Sequence, residues 1–285
     1  MSLAYLNGNY QPLSETKVSV MDRGFLFGDG VYEVVPVYGR KPFRRHEHLA
    51  RLQASLDGVR IANPLSAAEW SAVIDRISSA AAFADQQICI QVTRGAAPVR
   101  NHAFPTSATP TVLVFAEELL PPKAELRDGV RAVSAADIRW LRCNIKATSL
   151  LANCLLRQMA VDAGCAETVL FRDGILTEGA AANIFAVKDG VLLAPQKNHL
   201  MLPGITYDVI LEIAAAHGMP HVVRDITEAE VRNADELLMS SSTREVLSIV
   251  ELDGRPVGNG RPGPVGQALA AAYQDFKRTV MYGED

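Results

Sequence analysis

A chain of 285 residues with 48% apolar and 21% charged residues is long enough for two modest domains and too apolar to stay disordered. Its net charge of -4 provides no general basic field for nucleic acid, and no apolar run of about 18 residues marks a membrane span. The opening "MSLAYLNGNYQPLSE" lacks the basic and apolar regions of a signal peptide, so the cytoplasm is the expected compartment.

The first third reads as short strands with helices between them. "AYLNGNYQP" carries the Asn-Gly pair of a hairpin tip, and "VYEVVPVYGRKPF" is a β-rich run turned at Gly39. "HEHLARLQASLDGVRI" places Leu49, Leu52 and Leu56 at helical spacing, and "ICIQVTRG" and "TVLVFAEELL" read as strands. In "EELLPPKAE" (117–125) two prolines remove two amide donors, which sets a domain boundary there. The expected division is an N-terminal domain of 1–117, a linker of 118–122 and a C-terminal domain of 123–285.

The second domain starts with a strand in "GVRAVSAADIRWL". A helix over 149–163 follows, with Leu151, Leu155 and Met159 recurring every four residues, and closes at Gly164. "ETVLFRDGILTEG" and "NIFAVKDGVLLAP" each hold an Asp-Gly turn between β-rich arms. "ITYDVILEIAAAHG" is a second helix, "TEAE" (227–230) is a capping box opening a short third one, and "ELLMSSSTREVLSIVELDG" supplies the last strands. The four cysteines form no CxxC pair and have mostly apolar neighbours, so buried free thiols are expected rather than disulfides or a zinc site. The basic stretch "GRKPFRRHEHLARL" (39–52) lacks aromatic interleaving, and no nucleic-acid or membrane partner is expected.

Several chemical signatures fail. "GDGVYE" begins like a dinucleotide fingerprint, but Glu33 stands where the third glycine is needed. "HEH" puts His46 and His48 on different faces of a helix, and no metal site is expected. Other residues stand out on their own terms. Lys146, in "DIRWLRCNIKATSLL", sits just before an apolar helix; withdrawn from water it would favour the neutral, nucleophilic amine, and Arg139 and Arg142 would push the same way if close. The plain alternative is a lysine that reaches back to solvent. Glu178 in "LTEGAAANIF" lies at a strand end among small residues, where a planar group could approach, although such a residue usually belongs to a surface turn. The helix start in "LPGITYDVIL" exposes the amides of Ile205 and Thr206, "SSST" (240–243) adds hydroxyls such as Ser242, and Arg51 adds a guanidinium. Together these could hold a phosphate ester. Arg100 and His102 in "TRGAAPVRNHAFP" could grip a carboxylate or simply be solvated.

The motifs "MDRGFLFGDGVYEV", "EHLARL", "QVTRG", "DIRWLRCNIK", "LTEGAAANIF", "LPGIT" and the serine turn before "TREV", in that order, resemble the fold-type IV pyridoxal-phosphate enzymes, the class IV aminotransferases. Within them the sequence is most similar to the D-amino acid aminotransferases. The resemblance implies a mixed α/β chain of two domains, the larger C-terminal one with a barrel-like β core, assembled as a homodimer. It implies pyridoxal 5′-phosphate as cofactor, with Lys146 forming the internal aldimine and moving the Cα proton. Glu178 would pair with the pyridine nitrogen, Leu202 would pack on the ring, and Arg51, Ile205, Thr206 and Ser242 would hold the phosphate. Tyr32, Arg100 and His102 would bind the substrate carboxylate, with the loop of the last two reaching from the partner subunit. The implied reaction is ping-pong transamination of a D-α-amino acid such as D-alanine with 2-oxoglutarate or pyruvate. The alternatives are a branched-chain or (R)-amine transaminase, an aminodeoxychorismate-type lyase, or a cofactor-free oligomeric scaffold. Two departures stand out: Ala180, Ala181 and Ala182 replace the serines usual after "TEG" in D-specific members, and one extra residue precedes Arg100.

Overall fold

In a computed structural model of the chain, which describes residues 2–123 and 128–283, Asn7 and Gly8 do turn a hairpin. Both have positive φ, 48° and 94°, the left-handed backbone that a two-residue turn between twisted strands requires. They join β1 (Leu3–Leu6) to β2 (Asn9–Pro12). Next come α1 (Arg23–Phe27), β3 (Gly30–Tyr38), β4 (Lys41–Pro42), α2 (Arg45–Gly58), α3 (Ala67–Ala80), β5 (Gln86–Thr93) and β6 (Thr111–Glu118). The strands form one antiparallel sheet ordered β2-β1-β6-β5-β3-β4. Leu52 and Leu56 of α2, with Trp70, Ile74 and Ile77 of α3, are buried in one cluster with Val31, Val35, Ile88 and Val114 of the sheet. Each such side chain stabilises the fold by roughly 1.5–3 kcal/mol on leaving water. α3 has no counterpart among the elements expected from sequence, although Ser66 and Glu69 cap its start reciprocally. The basic stretch is spent internally: Arg40 donates to the carbonyls of Ser78 and Ala81, Arg45 pairs with Asp75, and Arg51 pairs with Glu33.

The second unit contains β7 (Val130–Ala136), α4 (Leu151–Asp162), β8 (Glu167–Arg172), β9 (Ile175–Gly179), β10 (Asn183–Lys188) and β11 (Val191–Ala194). It continues with α5 (Ile205–Ala216), β12 (His221–Val223), α6 (Glu228–Arg232), β13 (Glu236–Ser241), β14 (Glu245–Leu252), β15 (Arg255–Pro256) and α7 (Pro264–Phe276). The mixed sheet runs β12-β11-β10-β13-β14-β7-β8-β9, with β15 beside β14. Edge strand β9 is tied to interior strand β10 by residues 180–182 alone, a link that reaches at most about 14 Å. Five strand spacings in a flat sheet would need about 24 Å. The sheet therefore curls into a half-barrel, which is the barrel-like core expected. Asp173-Gly174 and Asp189-Gly190 supply its left-handed turns, and Thr227 and Glu230 form the expected capping box of α6.

The first unit comprises residues 1–120 and 145–150, the second 121–144 and 151–285. A single boundary at 118–122 does not capture this, because the six residues around Lys146 pack with the first unit. In the boundary stretch, Ala124 and Glu125 lie outside the described residues. The helix expected over 149–163 starts later, at Leu151, so Lys146 precedes it outside any helix or strand. Its four-residue stripe is also not its inner face: Leu151, Leu155 and Met159 are 74%, 54% and 46% exposed, while Leu156 and Ala160 are buried. The cysteines are free, but Cys143 alone is buried and Cys154 is exposed on α4. Among the described residues no helix is long and apolar enough to cross a membrane.

Candidate active site

Of the ten residues singled out above, Tyr32, Arg51, Arg100, His102 and Lys146 belong to the first unit, and Glu178, Leu202, Ile205, Thr206 and Ser242 to the second. Lys146 is pinned through its backbone. Its N–H donates to Ser55 Oγ of α2 (3.1 Å) and its carbonyl accepts from Tyr32 N–H of β3 (2.9 Å). Thr148 N–H donates to the Gly30 carbonyl (3.0 Å) and its hydroxyl to the Gly28 carbonyl (2.9 Å). The glycines of "GDG" serve this crossing. A Cβ on Gly28, whose φ is +66°, would meet Ser149 Cα at 3.1 Å, and one on Gly30 would meet the Val92 carbonyl oxygen at 2.7 Å. Lys146 Nζ lies 4.2 Å from the centre of the Tyr32 ring, a distance at which the ring face attracts the ammonium. Arg139 is committed to two carboxylates, described below, and Arg142 is exposed to screening water.

Side chains alternate along β3, so Glu33 faces away from Tyr32, toward α2 on the side of Val31 and Val35. There the fully buried Glu33 carboxylate accepts from Arg51 Nε (2.9 Å) and Nη2 (2.6 Å) and from Val34 N–H (2.9 Å), with His48 Nδ1 at 3.0 Å. Burial pushes this carboxyl up, but Arg51 and His48 reverse the effect and hold it well below the carboxylate range. Burial also pulls His48 down, against Glu33, and the charges of Arg51 and Lys146 pull it further. The Arg51 guanidinium is thus braced by a buried carboxylate. Glu33, noted in the sequence only as a misplaced glycine, was missed as its partner. The spacing of β3 and α2 carries no local signal for the pair.

Arg100 and His102 gather on Phe27 of α1. The Arg100 guanidinium lies 5.0 Å from the ring centre and the His102 ring 5.2 Å from it. Arg23, also on α1, donates to carbonyls of the same loop.

In the second unit Arg139 lies between two acids. It donates through Nε and Nη2 to Asp137 (2.9 and 2.8 Å) and through Nη1 to Glu178. Glu178 Oε1 also accepts from Leu202 N–H (3.1 Å), and Asn183 Nδ2 approaches Oε2 (3.4 Å) while donating to the Leu202 carbonyl (3.1 Å). Burial raises the Glu178 carboxyl to about 6, because Arg139 and the Leu202 amide only partly oppose it and Asp137 adds to it. Arg139 is kept charged: burial disfavours its cation, and the two carboxylates more than compensate. Arg139, Asp137 and Asn183 are the residues the sequence reading did not place here. At the start of α5, Gly204 takes the N-cap position with no side chain over the helix end. A Cβ there would lie 2.2 Å from Asn183 Oδ1. The first-turn amides of Ile205 and Thr206 have no acceptor within the helix. Ser242 sits half-buried in the turn between β13 and β14, beside Ser241 and Thr243. Ala180 and Ala182 are buried, so alanine at these positions avoids two hydroxyls that would need partners.

A model of the family "Amino-transferase class IV" matches residues 30–252, the span from β3 to the end of β14. The chain belongs to that family and is an aminotransferase of mixed α/β architecture. It is 36% identical over 269 residues to the D-alanine aminotransferase of Bacillus licheniformis, covering 94% of this chain and 95% of that one. It is 37% identical over 277 residues to the D-alanine aminotransferase of Staphylococcus aureus (strain MW2), covering 97% and 98%. Among solved structures it resembles the branched-chain aminotransferase from the archaeon Thermoproteus uzoniensis with norvaline, at TM-score 0.87 and 27% identity over 100% of this chain and 97% of that one. It also resembles a T.th. branched-chain amino acid aminotransferase with pyridoxamine 5′-phosphate, at TM-score 0.90 and 28% identity over 96% and 93%.

Proposed function

We propose that this aminotransferase takes the amino group of a D-α-amino acid such as D-alanine and passes it to a 2-oxo acid, 2-oxoglutarate or pyruvate, in two half-reactions on pyridoxal 5′-phosphate. The observation that carries the reading is the presentation of Lys146. Its backbone is tied on both sides and its amine is set against the Tyr32 ring. The other residues fit the cofactor too: a buried carboxyl braced by an arginine and an amide, and a helix start kept clear by glycine. When bound, pyridoxal phosphate supplies an aldehyde and an electron-withdrawing ring that acidify the Cα–H of an attached amino acid. Lys146 is the amine for that aldehyde, then the base that takes the Cα proton and the acid that returns it. Glu178 accepts the hydrogen bond of the pyridine nitrogen. A carboxyl near 6 is ionised at neutral pH yet a stronger acceptor than an ordinary one. Leu202 packs on the ring, while Arg51, the amides of Ile205 and Thr206, and the Ser242 hydroxyl hold the phosphate.

Tyr32, Arg100 and His102 take the substrate carboxylate. Two cationic or hydrogen-bonding side chains on one loop suit a donor that bears a carboxylate over a simple amine. The relatives named D-alanine aminotransferases support the D-configuration. We further infer a cytoplasmic enzyme and a homodimer, the latter supported by the outward apolar stripe of α4, which a second subunit would cover.

The deciding experiment is a half-reaction screen of the pyridoxal-phosphate form with D- and L-alanine, D-glutamate, L-leucine and (R)-1-phenylethylamine. Conversion of the cofactor by D-alanine but not L-alanine is the expected result, and preference for L-leucine or the amine would overturn it. Pyruvate released from a D-amino acid catalytically, with no acceptor present, would instead mark a lyase. Lys146→Ala should keep the circular dichroism of the fold and lose turnover by about 10³-fold or more.

A further inference from the structure

Arg23 is 3% exposed, and the transaminase chemistry leaves it without a task. Its donors are divided in an informative way. Nε reaches Asp29 Oδ2 at 2.7 Å, while the terminal nitrogens donate to three consecutive carbonyls: Asn101, His102 (3.0 Å) and Ala103 (3.3 Å). A buried cation is tolerated only when its hydrogen bonds are filled. Here most of the filling comes from the backbone of one loop, so the planar fork acts as a template for the path of that loop.

Asp29 is fixed from its other side. Arg94 donates to it through Nε (2.8 Å) and Nη2 (3.0 Å), and to the carbonyls of Val59 (2.7 Å) and Arg60 (3.0 Å) just past α2. Burial pushes Asp29 up, but Arg94 and Arg23 outweigh it and keep the carboxyl below its ordinary value. The template is therefore anchored to the core of the unit. Phe27 lies one helical turn after Arg23, and its ring supports three groups: the Arg23 guanidinium at 4.9 Å, that of Arg100 at 5.0 Å, and the His102 ring at 5.2 Å.

We propose that Arg23 and Phe27 are the positioning residues of the carboxylate grip. Arg23 sets the backbone of residues 101–103, and Phe27 supports the Arg100 and His102 side chains that close on the substrate. The proposal deepens the D-amino acid reading above and rests on it. A misplaced grip weakens capture of the carboxylate more than it slows the proton transfer at Lys146.

The test uses the full-length enzyme with pyridoxal phosphate. Arg23→Lys keeps a charge beside Asp29 but cannot fork across three carbonyls. It should raise KM for D-alanine about tenfold or more while kcat stays within about threefold, and amide hydrogen exchange in residues 98–105 should quicken with and without cofactor. Phe27→Leu should raise KM as well while leaving the exchange near wild type, because the carbonyl clamp is intact. Should Arg23→Lys fail to fold, Phe27→Leu carries the same kinetic test. Unchanged KM in the folded variants of an active enzyme, or unchanged exchange in Arg23→Lys, overturns the proposal and leaves the transaminase reading standing. A wild-type enzyme that accepts no D-amino acid overturns both, even if the exchange data show the clamp.

Discussion

Glu33 and Glu178 are both buried, both paired with an arginine, and they end on opposite sides of the ordinary carboxylate range. Glu33 draws on two partners that can carry positive charge, Arg51 and His48. Arg51 gives it two hydrogen bonds, His48 faces a third position, and the Val34 amide adds another, so attraction exceeds the cost of burial. Glu178 shares Arg139 with Asp137, which takes two of the guanidinium donors and adds its own negative charge. Burial then wins and the carboxyl rises to about 6. What separates a structural anion from a responsive one is thus the number of cations per carboxylate. Glu33 braces Arg51 permanently, whereas Glu178 has unspent capacity for a cationic partner such as a protonated pyridine.

The largest test of this contrast is Glu33→Ala. It takes from Arg51 the buried carboxylate it pairs with and should destabilise the fold by about 3–5 kcal/mol, measured by urea denaturation; near-wild-type stability would break the comparison. Glu178→Gln should leave the fold close to wild type, because a charge held at a cost is removed, yet slow the half-reaction with D-alanine on the order of 10²-fold. An equal loss of stability in the two variants would show that both acids serve the fold.

The pH dependence sharpens the point. Above about 6 Glu178 is ionised in folded and unfolded chains alike, and its burial costs on the order of 2 kcal/mol. As pH falls from about 6 to its ordinary value of 4.5, the folded chain takes up the proton first and that cost disappears. Glu33, Asp137 and Asp29 act in the reverse sense, since their carboxyls are lowered. Their contribution is present above about pH 4 and is lost as pH falls through their folded values. Denaturation at pH 7, 5 and 3 should show wild type gaining on Glu178→Gln between the first two, and both weakened at the third. The smallest effect is expected of Asn183→Ala. It removes a long contact to Glu178 and a hydrogen bond to the Leu202 carbonyl, for about 1 kcal/mol of stability. The pH at which Glu178 titrates should move up slightly.

Much of the architecture was legible in the sequence. Asn7-Gly8, Asp173-Gly174 and Asp189-Gly190 announce turns because they tolerate positive φ, and Thr227 with Glu230 announces a helix start because the two caps lie within one turn. Lys146, Glu178 and the amides of α5 stood out by type and context. Each of these signals is local, carried by residues that touch whatever the rest of the chain does. Which partner a charge finds is different. Arg23 meets the carbonyls of Asn101, His102 and Ala103 across nearly eighty residues, Arg139 meets Glu178 across 39, and Arg51 meets Glu33 from another element. The alanines and leucines of α4 likewise do not say which face is covered. Those outcomes depend on the path of the intervening chain, and only packing brings such groups within the few ångströms where electrostatics and burial decide between them.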